Sequence, residues 1–262
     1  MTTSSRTKTA VAVLAVAGAV AAGVLVVASI SGATASSHRA AATTLPTVPT
    51  TLAPTSTTLA PTTTTTAPTT TTTVDDGTLR VGKSGPEVTA LQDRLTALGF
   101  WLGASDGQYS RLTQQAVMAF QKANGLHRDG SAGPATLAAL ATAGRPAPRS
   151  TADGVEIDLE RQILIVVEGG QAKWTFNTSS GKPSTSTPPG DYAVYKQIDG
   201  IRRAPLGDLY RPKYFHGGDA VHGSPSIPGY AASHGCARVS NPAMDFLWAS
   251  GNLEVGTPVR VH

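Results

Sequence analysis

The chain holds a single cysteine, Cys236, set in the run Ser233-His234-Gly235-Cys236-Ala237-Arg238, and His222-Gly223 precedes it. A thiol is a good nucleophile as the thiolate, and a nearby imidazole favours that form. Pairing with a nearby histidine is therefore expected to raise the thiolate fraction above that of a free thiol of pKa about 8.5. Gly235 permits unusual dihedrals and close backbone approach just before the thiol. Backbone N–H groups around such a turn can point at a developing oxyanion. A thiol, two histidines and a guanidinium in this order read as a Cys–His acyltransferase site. His216, also followed by glycine, is a rival for the base. The plainer reading of Cys236 is a small buried hydrophobe. One cysteine excludes an internal disulfide and a zinc site built on several thiolates.

The elements around these residues have a period of two. Val155, Ile157 and Leu159 alternate, Ile163–Val167 is a dense β-branched run, and Gly169-Gly170 marks a hairpin turn before Lys173–Phe176. Pro188, Pro189 and Gly190 break the chain before Asp191–Tyr195, and Val259–Val261 can add a last strand. Asn241-Pro242 opens a short helix with Met244, Leu247 and Trp248, closed by Gly251. Tyr214, Phe215, Trp174 and Trp248 are expected in the core. Residues 154–262 are thus expected to form a mainly-β domain with short helices.

Residues 78–143 read as a small all-α module of three helices. Pro86 suits a first turn, Val88, Leu91, Leu95 and Leu98 follow at helix spacing, and Gly99 is placed to end it. A second helix is expected from about Leu112 to Asn124 with Ala116, Val117 and Phe120 inward, and a third from Pro134 to near Gly144. An internal echo runs through the module: Asp106-Gly107 precedes Thr113 and Ala116 at the same offsets at which Asp129-Gly130 precedes Thr136 and Ala139. Each copy reads as a turn feeding a helix. Trp101 is expected in the core or on a binding face. Residues 144–153, with Arg145-Pro-Ala-Pro-Arg149, read as a linker.

Residues 36–77 are Thr/Pro-rich and cannot bury enough surface to offset chain entropy, so a disordered spacer is expected. Residues 1–35 hold Arg6 and Lys8 before the uncharged run Ala10–Ile30. Its length favours an uncleaved anchor, N-terminus inside, although Ala33-Thr34-Ala35 fits a signal-peptidase site. The expected location is outside the cytoplasmic membrane, associated with the wall and tethered at the N-terminus. The formal net charge of +4 is spread thinly. No basic stripe marks a nucleic-acid binder.

The pattern from Val88 through Leu91-Gln92, Leu98-Gly99-Phe100, Asp106-Gly107, Phe120-Gln121 and Asp129-Gly130 resembles the small peptidoglycan-binding domain fused to many wall hydrolases. His222-Gly223, Ser233-His234-Gly235-Cys236, Arg238 and Thr187-Pro188-Pro189-Gly190 resemble the L,D-transpeptidase catalytic domain over about residues 154–262. The loop between Gly223 and Ser233 is a short version of the family's. The resemblance implies that Cys236 attacks the stem tetrapeptide ahead of its terminal D-alanine and forms a thioester. The amine of a neighbouring acceptor stem then gives a 3→3 cross-link. It implies His222 as base, oriented by the Gly223 carbonyl. His234 and the N–H groups of Gly235 and Cys236 would serve the oxyanion or position substrate. Ser233 and Gly223 fall on the substrate side with Arg238, whose fork suits a carboxylate. No cofactor or metal is implied, and carbapenems are expected to acylate Cys236.

Three other readings compete. An L,D-carboxypeptidase would share the fold and hydrolyse the thioester. A zinc peptidase would use His222, His234 and Cys236, but the spacing is poor for two ligands from one tight loop and no carboxylate is evident near the motif. A non-catalytic wall-binding protein would need a decayed site.

Overall fold

The computed structural model describes residues 76–262. The apolar run Ala10–Ile30 and nearly all of the Thr/Pro stretch lie outside them, and so do the topology, anchor and spacer expectations. Among the described residues no helix is long and apolar enough to cross a membrane.

Three helices come first: α1 (Pro86–Ala97), α2 (Arg111–Ala123) and α3 (Pro134–Thr142). Proline opens α1 and α3, where a missing N–H costs nothing. Ser110 caps α2 by accepting from the N–H groups of Leu112 and Thr113 at 3.2 and 3.3 Å. The internal echo has a physical basis in two buried glutamines. The Gln92 amide donates to Asp106 Oδ1, the Gln108 carbonyl and Thr113 Oγ1, each at 3.0 Å, and accepts from the Gly107 N–H at 2.8 Å. Gln121 repeats the pattern with Asp129 Oδ1, the Ser131 carbonyl, Thr136 Oγ1 and the Gly130 N–H. Each glutamine is fully satisfied, so the repeated residues pin turn to helix.

The β-rich part begins with β1 (Gly154–Asp158), β2 (Ile163–Glu168) and β3 (Gln171–Asn177). Gly169 and Gly170 turn β2 into β3 with φ of 58° and 76°, the left-handed pair that a tight hairpin needs. Then come β4 (Gly190–Ala193), β5 (Lys196–Gln197), β6 (Ile201–Arg202), β7 (Leu209–His216), β8 (Asp219–Ser224), β9 (Ala237–Ser240), α4 (Asn241–Ala249) and β10 (Pro258–Val261). One sheet has the order β3-β2-β1-β10-β4, the other β5-β7-β8-β9 with β6 on β7. The pairs β1·β10 and β8·β9 are parallel. Between the sheets, Val155, Ile157, Leu164 and Val166 meet Val221, Ala237 and Val239, with Met244 and Leu247 of α4.

The other face of β2 is buried too. Ile163, Ile165 and Val167 join Val88, Leu95, Phe100, Val117 and Phe120 in one apolar cluster. The helical module is therefore packed on the sheet. Trp101, expected in the core or on a binding face, packs against the core of the β part, on Phe176 and Phe246 at 5.6 and 5.3 Å between ring centroids. The 144–153 stretch is held as well: Pro146 is buried, and the Glu156 carboxylate accepts from the N–H groups of Arg149 and Ser150 at 2.9 and 2.7 Å.

Lys122 of α2 crosses this seam. It is 1% exposed, and its ammonium reaches the carbonyls of Thr178 at 2.8 Å, Gln162 at 3.1 Å and Pro228 at 3.4 Å. Burial, aided by the Arg128 charge, pulls its pKa down to about 7.

Candidate active site

Strands β8 and β9 run parallel with His222 opposite Arg238, which brings the end of the Cys236 loop beside β8. Val221, Ala237 and Val239 fill the core, so the alternate positions His222 and Arg238 face away from it. His222, Cys236, Arg238, Ser233 and His234 all line one cleft of about 690 Å³.

His222 is 6% exposed, and its Nδ1 lies 2.8 Å from the Gly223 carbonyl oxygen. A carbonyl only accepts, so Nδ1 carries the proton and Nε2 holds the lone pair. Burial, then the Arg238 charge, push the imidazole pKa down to about 4 against the raising effect of the Gly223 carbonyl. The ring is neutral at pH 7. Cys236 is partly buried. Burial, with the Asp219 carboxylate, holds its thiol above the usual range, opposed by the Ala220 N–H and the Arg238 charge. The resting pair is thus thiol and neutral imidazole. The sequence led to the opposite expectation, a raised thiolate fraction. The difference is desolvation, which penalises both ions.

The loop before the thiol is tightly determined. Gly235 has φ of 127°, and a Cβ there would stand 2.1 Å from Asp219 Oδ1. Ser233 Oγ accepts from the Gly235 N–H at 3.2 Å and donates to the Cys236 carbonyl at 2.5 Å. Thr187 Oγ1 donates to the Gly235 carbonyl at 2.6 Å and accepts from the Gly181 N–H at 3.0 Å. Beneath, Thr178 Oγ1 and the Ser179 N–H both donate to the Arg238 carbonyl. Lys122 grips the Thr178 carbonyl, so the helical module braces the strand that carries Arg238.

His234 is exposed, with Nε2 3.4 Å from Lys182 Nζ. Arg238 makes no ion pair among the described residues, leaving its fork for a ligand. His216 is not in the cleft lining; its Nδ1 is 3.2 Å from Asp219 Oδ2. Tyr214, expected in the core, lines the cleft beside Cys236, because it pairs opposite Ala220 at the mouth of β8. The loop 202–209 supplies another wall through Arg202, Pro205 and Leu206. Nothing in the sequence marked that loop except its Ala204-Pro205 break. Asp219 is the carboxylate that sequence reasoning did not find near the motif. It lies next to Gly235 only because β8 and β9 are neighbours. Among the described residues, no three His, Cys, Asp or Glu side chains come together as a metal-holding group.

Asp219→Asn keeps the packing against Gly235 and removes a charge that lifts the thiol pKa. The pH midpoint of Cys236 alkylation by iodoacetamide is expected to move to lower pH, with several-fold faster labelling at pH 8. An unmoved midpoint would show that Asp219 does not act on the thiol electrostatically.

Residues 152–261 match the L,D-transpeptidase catalytic domain family, and residues 84–140 match the putative peptidoglycan binding domain family. A solved L,D-transpeptidase from Xylanimonas cellulosilytica DSM 15894 (residues 123-326) is 52% identical, with a TM-score of 0.67 over 70% of this chain and 96% of that one. N-acetylmuramoyl-L-alanine amidase CwlL of Bacillus licheniformis is 46% identical over 78 residues, 29% of this chain. Zinc D-Ala-D-Ala carboxypeptidase of Streptomyces albus G is 48% identical over 64 residues, 23% of this chain. The chain spans only 22% and 25% of the length of these two curated relatives. On the family match and the half-identical solved relative together, the chain belongs to the L,D-transpeptidase catalytic-domain family.

Proposed function

We propose that the chain is a peptidoglycan L,D-transpeptidase that forms 3→3 cross-links through a thioester on Cys236. The observation that carries this reading is the buried, neutral His222, with Nδ1 tied to the Gly223 carbonyl, in one cleft with the lone thiol and with Arg238, which has no ion-pair partner among the described residues. A neutral imidazole beside a protonated thiol is a general base waiting for substrate.

As the sulfur attacks the carbonyl before the terminal D-alanine of a donor stem, the S–H proton passes to His222 Nε2 and an S–C bond forms. The carbonyl oxygen becomes an oxyanion. The Gly235 N–H is committed to Ser233 Oγ, so the oxyanion falls to the Cys236 N–H and His234. Collapse breaks the C–N bond, and the imidazolium returns its proton to the departing amine of D-alanine. An acceptor-stem amine then attacks the thioester, loses its proton to His222, and the thiolate leaves to be reprotonated. Arg238 holds a donor carboxylate. Water in place of the acceptor amine would give an L,D-carboxypeptidase on the same residues.

The test is mass spectrometry of products from purified disaccharide tetrapeptide. Dimers that have lost one D-alanine per cross-link are expected, and Cys236→Ala should abolish them. A product pool of tripeptide monomer alone would make the protein a carboxypeptidase. Cross-linking that survives in Cys236→Ala, or that a chelator abolishes, would overturn the thioester mechanism.

A further inference from the structure

The cleft continues past its catalytic residues. Ser224, two positions after His222 at the end of β8, lines both the cleft and a second groove of about 660 Å³. One wall of that groove is α2, through Arg111, Gln114, Gln115 and Met118; the other is residues 224–228 with Ser240–Pro242. The α2 wall lies within the segment that matches the peptidoglycan binding family. The groove is preformed. Asn177 Nδ2 ties its two walls together, donating to Gln115 Oε1 at 2.6 Å and to the Ile227 carbonyl at 3.1 Å. Lys122 adds its bond to the Pro228 carbonyl at 3.4 Å.

The lining chemistry is specific. It has amides and hydroxyls, three prolines, Leu112, Met118 and Ile227, one cation in Arg111, and no carboxylate. An ammonium ligand would find no counter-charge there, and a polyanion would find only one. A neutral chain with amide and hydroxyl groups and apolar ring faces fits. The volume lies within the usual range of small-ligand sites.

We propose that this groove seats the N-acetylated glycan strand of peptidoglycan while its stem peptide occupies the cleft, a proposal that rests on reading the cleft as an L,D-transpeptidase site. The sugar hydroxyl and acetamido groups would meet the Gln114 and Ser226 side chains, and ring C–H faces would lie on the proline and Met118 surfaces. The docked module then contributes one wall of the substrate site itself.

The test uses the full chain and two exposed lining positions, Ser226→Trp to fill the groove and Arg111→Ala to remove its cation. Binding to glycan strands stripped of stems by an amidase is measured alongside KM on stem-bearing polymer and on free tetrapeptide. Carbapenem acylation of Cys236 counts the folded sites. Wild-type protein is expected to bind the stripped glycan. Ser226→Trp should weaken that binding at least tenfold and raise the ratio of polymer KM to tetrapeptide KM by a similar factor, with Arg111→Ala moving both less. Wild-type protein that does not bind stripped glycan, variants that bind it like wild type, or full competition by free stem peptide would each overturn the groove assignment. Failure of wild-type protein to acylate or turn over tetrapeptide would instead bring down the reading of the cleft, whatever the glycan result.

Discussion

In His222→Ala, acylation of Cys236 by a carbapenem is expected to slow by about 10²–10⁴-fold, the usual worth of a positioned general base. The reason is the resting state of the pair. Burial keeps the thiol protonated, and the Gly218 carbonyl, 3.9 Å from Sγ, is too weak a base to take that proton in place of the imidazole. The pH profile gives the sharper reading. His222 takes up a proton only near pH 4, so the wild-type rate should hold from neutrality down to about pH 5 and fall below it. The variant should instead climb steadily with pH as hydroxide supplies the thiolate, with slow residual labelling from the thiol's own nucleophilicity. His216→Ala should change the rate less than tenfold, since that ring is tied to Asp219 outside the cleft lining. If His216→Ala stops acylation and His222→Ala does not, the base is His216. An acid limb near pH 6.5 in the wild type would refute the buried neutral imidazole.

Lys122→Met is expected to destabilise the fold by about 3 kcal/mol at pH 7, because the buried carbonyls of Thr178 and Pro228 lose their donor. A second signature is independent of that magnitude. In the fold Lys122 loses its proton near pH 7, whereas in the unfolded chain it keeps it to about 10.5. Between those values the unfolded state binds more protons, so the Lys122 contribution makes stability rise with pH, by up to about 1.4 kcal/mol per unit. Lys122→Met should flatten that rise. Urea melts at pH 7, 8 and 9 measure both effects. A loss below about 1 kcal/mol with an unchanged slope would mean that the seam does not depend on this side chain.

The residues best read from sequence were those whose message is local. Ser233-His-Gly-Cys is one contiguous loop, and Pro86, Gly99 and Pro134 mark helix ends through backbone rules that need no neighbour. The glycine pair at 169–170 is of the same kind. What stayed hidden depends on pairing between distant segments. Asp219 meets Gly235, and Tyr214 shares the cleft with the thiol, because β8 lies between β7 and β9. Lys122 carried no signal in the sequence, since nothing in α2 alone announces three carbonyls waiting across the seam. The sign of the thiol shift was missed for the same reason: a charge pair was visible in the motif, and the burial around it was not. Ile163–Val167 is an unbroken apolar run, which implies a strand covered on both faces, and alternation alone would have left one face wet.

That doubly covered strand bears on how such proteins can be recombined. A cut near Gly144 in this chain would lay Ile163, Ile165 and Val167 bare on one product and Val117, Phe120 and Phe100 on the other. Both halves would carry an adhesive stripe, one of them along a β-surface of the kind that seeds self-association. Exchange at this seam is therefore viable only between partners whose buried faces already match. Inheritance should hold the two modules together as a pair, with their contact residues changing in concert.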